Sequence, residues 1–329
     1  MGALQVLIMA NYLGIDVGSI TTKMVVINEG DEVLAEVYLR NNGRPLEAIQ
    51  QGLGSIASRL DGETSIDGAA TTGSARHLAA YLVGADLVKN EITAHSIAVI
   101  DLFPEAKTVF EIGGQDSKVI VLRAGVVVDF AMNTVCAAGT GSFLDQQAAR
   151  LGISIEEFGT LALKAKQPVR VAGRCTVFAE TDMIHKQQIG HSIEDIVGGL
   201  CDSLVRNYLN NVCRGKEVLS PIVFQGGVAA NQGIRKALEK ELETPLIVPE
   251  HFGLMGAMGA AKLVKRAKPF KTLFKGFELS RKSCSTRGFE CSECENQCEV
   301  VELLIDHQVV ACWGDLCERY RKSPSVVSQ

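Results

Sequence analysis

The apolar positions near the start of the chain fall in short runs of strand length. From Gly14, the segment GIDVGSITTKMVVINEGDEVLAE reads as a strand, a tight glycine turn, a β-branched strand, a second glycine turn and a third strand. The same order returns from Phe110 in FEIGGQDSKVIVLRAGVVVDF. At a spacing of 95 residues, Asp16 falls on Glu111, Gly18 on Gly113, Thr22 on Ser117 and Lys23 on Lys118. Glycine, hydroxyl and lysine coincide. Two such β-rich units, each followed by helical sequence, predict a duplicated α/β domain with a cleft between the copies.

Later segments add to this frame. PIVFQGGVAANQGIRKALEKEL, from Pro221, reads as a buried strand from Ile222 to Gln225, a Gly-Gly turn, and a helix with Arg235, Lys236, Glu239 and Lys240 on its outer face. HFGLMGAMGAAKLVKRA is helical and rich in small residues, so it is expected to pack closely on the sheet and complete the first domain. The predicted domains are residues 1–106, completed by a helix over 253–268; residues 107–252; and a basic linker with a cysteine-rich extension over 269–329.

Composition narrows the class. The 329 residues suggest two domains. A hydrophobic content of 47% excludes disorder, and the net charge of -5 argues against nucleic-acid binding. No apolar run reaches the roughly 18 residues of a membrane span. The start, MGALQVLIMANYLGID, has no basic n-region and no clear cleavage site, so it reads as a short tail plus the first core strand. The end, SPSVVSQ, reads as frayed. A cytoplasmic location follows, where thiols stay reduced and cysteine clusters bind metal more often than they pair. Cysteine is the unusual residue: there are ten, and six lie between Cys284 and Cys317. Between Lys262 and Lys282 stand eight basic residues and one acid, Glu278. That strip reads as a solvated helix end and linker, or as a docking strip for an acidic partner.

The two turns carry specific chemistry. A glycine turn between strands lets backbone N–H groups approach phosphate oxygens. Gly18, Ser19, Thr21, Thr22 and Lys23 form the first candidate, with the Lys23 side chain free to point elsewhere. Gly113, Gly114 and Ser117 form the second. Asp16 and Asp116 would sit near the phosphates, where carboxylates suit Mg²⁺ held through water; capping of turns is the plainer reading. Gln115 is placed to orient an attacking water. Gly226, Gly227 and Asn231 are assigned to the adenosine. Cys136 precedes a Gly139-Thr140-Gly141 turn and a helix capped by Ser142 that ends at Gly152. Cys175 precedes a helix with acids in its first turns. Thiolates at helix starts are favoured by the helix dipole. A cubane needs four ligands and one chain offers two such cysteines, so a twofold dimer is the simplest closure; two buried cysteines acting as small hydrophobes is the alternative. Cys201 and Cys213 lie in the apparent helix IVGGLCDSLVRNYLNNVC and read as core.

As a set these motifs resemble the acetate kinase, sugar kinase, heat-shock chaperone and actin superfamily. Within it they look like the ATP-dependent activators of 2-hydroxyacyl-CoA dehydratases and the benzoyl-CoA reductase ATPase subunits. GIDVGSITTK, EIGGQDSK, NTVCAAGTGSFLD, GRCTVFAETD and FQGGVAAN carry the resemblance, over about residues 12 to 266. It implies duplicated actin-like (ribonuclease H-like) ATPase domains and a homodimer. It also implies one [4Fe–4S] cluster held by Cys136 and Cys175 of both chains. It implies ATP/ADP with Mg²⁺, and transfer of a low-potential electron from a ferredoxin or flavodoxin. The implied acceptor is a dehydratase-like or double-cubane-cluster reductase partner. Hydrolysis is expected to rotate the two domains as hinge-linked bodies. A small-molecule kinase or a nucleotide-regulated binding protein of the same superfamily is the alternative, although no sugar-type motif stands out.

The resemblance stops before the extension, which holds Cys284, then Cys291, Cys294 and Cys298 as C-x₂-C-x₃-C, then Cys312 and Cys317. Cys284, Cys291, Cys294 and Cys298 are the first choice of ligands for a second iron–sulfur cluster or a structural zinc, with Cys312 and Cys317 as substitutes. Disulfides or an unliganded, oxygen-damaged segment are further alternatives. VELLIDHQVVACW reads as a strand or a hairpin that would bring Cys312 near.

Overall fold

The computed structural model describes residues 10–62, 64–133, 136–317 and 319–320. The readings of the extreme N-terminal tail and of SPSVVSQ lie outside the described residues. By its contacts the chain divides into two units. Unit 1 runs up to Ala98 and resumes at Gly256; unit 2 is Val99–Met255.

Unit 1 opens with β1 (Asn11–Val17), β2 (Thr21–Asn28) and β3 (Val33–Arg40), followed by α1 (Pro45–Arg59), β4 (Gly68–Thr72), α2 (Arg76–Val83), β5 (Leu87–Val88) and α3 (Glu91–Leu102), which leads into unit 2. Its sheet has the order β3-β2-β1-β4-β5. Unit 2 holds β6 (Thr108–Ile112), β7 (Ser117–Arg123), β8 (Val126–Asn133), α4 (Gly141–Leu151), α5 (Ile155–Leu163), α6 (Thr176–Gln188), α7 (Ile193–Asn211), β9 (Ile222–Gln225), α8 (Gln232–Leu242) and β10 (Leu246–Ile247). Its sheet runs β8-β7-β6-β9-β10, the same order. In each, three strands meander antiparallel and two more join parallel to the first. The repeat read from the sequence is therefore a repeat of topology. Even the register is copied: Asp16 lies opposite Lys23, and Glu111 opposite Lys118.

The central strands β1, β4, β6 and β9 are buried along their whole length, which is why their sequences are apolar runs without alternation. Leu13, Ile15 and Met24 pack with Ile49 and Leu53 of α1 in unit 1. Phe110, Phe143, Phe158, Tyr208 and Phe224 anchor unit 2. The Phe110 and Tyr208 rings meet edge-on at 5.1 Å, and the Tyr208 hydroxyl donates to the Lys118 carbonyl at 2.7 Å. Cys201 and Cys213 are buried in this core. Burial pushes the Cys213 thiol up to about 12 and Cys201 higher still, as suits inert packing residues.

The small-residue helix is α9 (Met255–Ala267). A Cβ on Gly14 of β1 would lie 1.9 Å from the Ala257 carbonyl oxygen, and one on Gly259 would lie 1.8 Å from that of Ala94. Glycine is required at both places for backbone-to-backbone packing of α9 on β1 and α3. After α9 the chain stays on unit 1. Lys275 donates to the Tyr81 and Leu82 carbonyls, and Gln50 to those of Leu279 and Lys282. The basic strip is thus partly consumed in structure: Lys262 and Lys265 grip Asp31 at 2.6 and 2.7 Å, and Lys282 pairs with Asp306. The extension is a meander of β11 (Cys284–Glu290), β12 (Glu299–Ile305) and β13 (Gln308–Trp313). Trp313 packs on Tyr81 at 5.2 Å. The segment read as a strand or a hairpin is the β12–β13 hairpin, with Asp306 and His307 both at positive φ in its turn.

Candidate functional site

The two glycine turns are built alike. In the first, the Gly18 N–H donates to the Thr21 carbonyl at 2.9 Å; in the second, Gly113 donates to Asp116 at 2.9 Å. Each turn then stands over a carboxylate–lysine pair. Lys23 reaches Asp16 at 3.0 Å, and Lys118 reaches Glu111 at 2.8 Å. Lys118 is only 1% exposed and also pairs with Asp116 at 2.9 Å. Both lysines therefore serve carboxylates of their own sheet.

What holds each turn differs, and sequence reasoning missed both devices. In unit 1, Asn41 donates from Nδ2 to the Gly18 carbonyl at 2.6 Å and accepts the Thr22 hydroxyl at 2.7 Å. Thr22 is thus buried and committed to Asn41, while Ser19 is exposed and Thr21 half-buried. In unit 2, the start of α4 does the work. Gly141 donates to the Gly113 carbonyl at 2.8 Å, and Ser142 donates its N–H at 2.8 Å and its hydroxyl at 2.5 Å to the Gly114 carbonyl. Ser142 does not cap α4. The cap position is Thr140, and Ser142, inside the first turn, spends its hydroxyl on the glycine turn instead. The end at Gly152, φ +67°, is as expected. Neither Asn41 nor Ser142 carries a local signal of this role, because its partner lies far along the chain.

The surroundings of the turns are polar and incompletely satisfied by protein. Asp16 is buried, with Gly73 and Gly256 packed so close that a Cβ on either would fall within 3 Å of its carboxylate. Thr72, beside Asp16 in the β1–β4 register, and Ser117, at the start of β7, are fully buried, and their hydroxyl oxygens have no protein hydrogen-bond partner. Buried hydroxyls of this kind normally find a ligand or water. In each unit, taken by itself, such groups suit phosphate oxygens or a hydrated cation. Gln115 is exposed at the tip of its turn and Asp116 half-buried beside it. In the third motif, Asn231 caps α8 by accepting from Ile234 N–H at 3.0 Å, and its buried Nδ2 has no protein partner. Gly226, at φ +90°, serves close packing: a Cβ there would lie 2.4 Å from the Ile112 carbonyl oxygen. Gly227 opens the 3-10 turn that follows. Arg235 is half-buried over the Phe252 ring, not on an outer face.

Cys136 and Cys175 each occupy the residue before a helical segment, Ala137–Gly139 and α6 respectively. The fold brings the two segments together: Cys136 Sγ lies 4.0 Å from the carbonyl oxygen of Arg174, next to Cys175. Asn133 holds the Cys136 backbone from both sides, accepting its N–H at 3.1 Å and donating to its carbonyl at 2.8 Å. The approach to Cys175 is strapped to α7, where Arg206, Ser203 and Asn207 donate to the carbonyls of Val171, Ala172 and Gly173. Asn207 also abuts Gly139, where a Cβ would come within 2.7 Å of its Oδ1. Glu180 of α6 accepts Arg150 of α4 at 2.7 Å. The acids of α6, Glu180 and Asp182, therefore stand beyond its first turn and serve as tethers. Two half-buried cysteines thus stand at neighbouring helical starts, a setting that suits thiolate ligands of an iron–sulfur cluster.

In the extension the six cysteines separate. Cys291 and Cys312 are buried together with Val300, and Cys298 packs against them. Cys294 and Cys317 are exposed nearby in sequence. The structure does not bring Cys284 to this group: it begins β11, opposite Ile305, and packs on the core of unit 1. Among the described residues no three or more His, Cys, Asp or Glu side chains converge as a metal site. Nor does any helix among them have the length and apolarity to cross a membrane.

A twice-repeated sheet with matching glycine turns and carboxylates defines an actin-like ATPase. Within that class the chain belongs to the BadF/BadG/BcrA/BcrD ATPase family, whose pattern matches residues 13–264. It is 34% identical over 260 residues to the 2-hydroxyisocaproyl-CoA dehydratase activator of Clostridioides difficile, covering 76% of this chain and 92% of that one. It is 33% identical over 254 residues to the (R)-2-hydroxyglutaryl-CoA dehydratase activating ATPase of Acidaminococcus fermentans, covering 76% and 95%. A solved structure of the activator of the 2-hydroxyisocaproyl-CoA dehydratase from Clostridium difficile with bound ADPNP superposes with a TM-score of 0.71 at 32% identity, covering 78% of this chain and 95% of that one.

Proposed function

We propose that this protein is an ATP-hydrolysing iron–sulfur activator that passes a low-potential electron to a dehydratase-type or double-cubane-cluster reductase partner. The observation that carries the reading is the pairing of Cys136 and Cys175 at adjacent helical starts, in the unit whose glycine turn is bonded directly to α4. Kinase chemistry needs no such pair of thiols.

In this reading the turn at Gly18, Ser19, Thr21, Thr22 and Lys23 and the turn at Gly113, Gly114 and Ser117 take phosphate oxygens of ATP. Ser19 and Thr21 offer hydroxyls, while Thr22 and Lys23 act by holding Asn41 and Asp16 in place. Asp16 and Asp116 hold Mg²⁺ through water, Gln115 orients the attacking water, and Gly226, Gly227 and Asn231 take the adenosine. Cys136 and Cys175 supply two ligands, and a second copy of the chain supplies two more, for a shared [4Fe–4S] cluster. When bound, the cluster supplies one-electron transfer. Val177 and Phe178, next to Cys175, are 66% and 65% exposed, an apolar surface of the kind a homodimer contact covers. A ferredoxin or flavodoxin is the donor, and the cytoplasm, where thiols stay reduced, is the location.

The test is anaerobic. The reconstituted protein is expected to be brown, to lose colour and iron on Cys136→Ser or Cys175→Ser, and to hydrolyse ATP slowly with no sugar or acid acceptor present. A colourless reconstituted protein contradicts the reading.

A further inference from the structure

The three-stranded sheet of the extension has two unlike ends. Where β11 begins, Cys284 lies opposite Ile305, and both pack on the core of unit 1. At the other end β11 finishes opposite the start of β12, Glu290 facing Glu299, and β13 finishes beside them, Trp313 facing Val301. The connection 291–298 carries Cys291, Cys294 and Cys298. Strand β13 carries Cys312 and runs on to Cys317. Five thiols therefore share one end, and β11, at about 3.3 Å per residue, holds Cys284 roughly 20 Å away.

That end is shaped as a clasp with little inside it. Cys291 donates its N–H to the Cys298 carbonyl at 2.8 Å, and Gln297, at φ +44°, donates to the Cys294 carbonyl at 3.3 Å. The exit of β13 folds back at Gly314, φ +113°, where a Cβ would lie 2.3 Å from the Glu299 carbonyl oxygen. Tyr320 then meets Phe289 edge-on at 5.4 Å. Besides Val300, the buried residues are Cys291 and Cys312 themselves. So small a core is ordinarily stapled by disulfides or metal, and no disulfide joins these cysteines. From Glu290 to Cys317 there are seven acids and no Lys or Arg.

We propose that this end is a closed tetrathiolate metal site, with Cys291, Cys294 and Cys298 as three ligands and Cys312 or Cys317 as the fourth, and with Cys284 outside it. Zinc and a four-iron cluster share this ligand chemistry, and the test separates them. The exposed Cys294 and Cys317 side chains turn inward as the ion binds. The site lies beyond the family match at residue 264 and uses neither Cys136 nor Cys175, so it stands or falls apart from the proposed activator role.

Full-length protein carrying Cys136→Ser and Cys175→Ser is purified anaerobically and its metal content measured. About one zinc or about four irons per chain is expected. The metal is expected to persist when Cys284→Ser is added, and to be lost when Cys294→Ser and Cys298→Ser are added. Of Cys312→Ser and Cys317→Ser, one is expected to lose it; retention in both overturns the proposal. A second readout needs no variant of the extension: thiols between Cys291 and Cys317 resist alkylation in the loaded protein and react after chelation. Absence of metal, or loss with Cys284→Ser as complete as with the Cys294→Ser and Cys298→Ser pair, overturns it as well.

Discussion

Ser142 donates both its backbone N–H and its hydroxyl to one acceptor, the carbonyl oxygen of Gly114, at 2.8 and 2.5 Å. Gly114 belongs to the glycine turn proposed to take phosphate, and Ser142 to the helix that follows Cys136. A shift of that turn is therefore transmitted to α4 through two hydrogen bonds that share an acceptor. Ser142→Ala removes the side-chain bond, at a cost of about 1 kcal/mol. In cluster-free wild type, the alkylation rate of Cys136 is expected to change when ADP is replaced by a non-hydrolysable ATP analogue. In the variant the two rates are expected to converge. An undiminished difference would show that α4 does not read the turn.

Gly14 is where α9 comes down onto β1. With the Ala257 carbonyl oxygen 1.9 Å from the Cβ position, Gly14→Ala forces the helix away. A loss of about 3 kcal/mol is expected, read as a lower urea midpoint at unchanged slope. An unchanged midpoint would contradict the packing.

Glu111→Gln leaves the Lys118 ammonium buried beside Asp116, at 2.9 Å. Breaking a buried pair from one side costs about 3 kcal/mol or more, whereas replacing both partners by apolar groups is often tolerated. Denaturation of Glu111→Gln, Lys118→Met and the double variant tests this, the double being expected to recover much of the single losses. Additive losses would mean the pair is not coupled.

Burial alone would raise the Asp31 carboxyl, but the hydrogen bonds from Lys262 and Lys265 outweigh it and hold it below the usual carboxylate value. A lowered folded pKa contributes stability that is present above the unfolded value of about 3.9 and is lost as pH falls through the folded one. The difference in melting temperature between wild type and Asp31→Asn is therefore expected to be constant from neutral pH down to about pH 5 and to shrink below it. A difference that grows toward acid would refute the assignment.

Much of this fold was legible because its signals were local or repeated. The spacing that set Asp16 on Glu111 and Lys23 on Lys118 exposed both sheets, and the strand Ile222–Gln225 and the helix end at Gly152 follow from neighbouring residues. What was not legible depends on partners distant in sequence. Ser142 reads locally as a cap, and only the fold offers it the Gly114 carbonyl. Asn41 shows no motif at all. Arg235 reads as solvent-facing by helical period, but Phe252 arrives beside it from beyond α8. Cys284 is close to Cys291 in sequence, yet a straight strand parts them.

The central claim is that Cys136 and Cys175 provide half of a cluster shared by two chains. Iron per chain is measured in reconstituted, anaerobic wild type and in Cys136→Ser, and the difference isolates this site from any metal in the extension. A difference of about two irons per chain, half of a four-iron cluster, is predicted; a difference of about four, or none, would contradict the shared site.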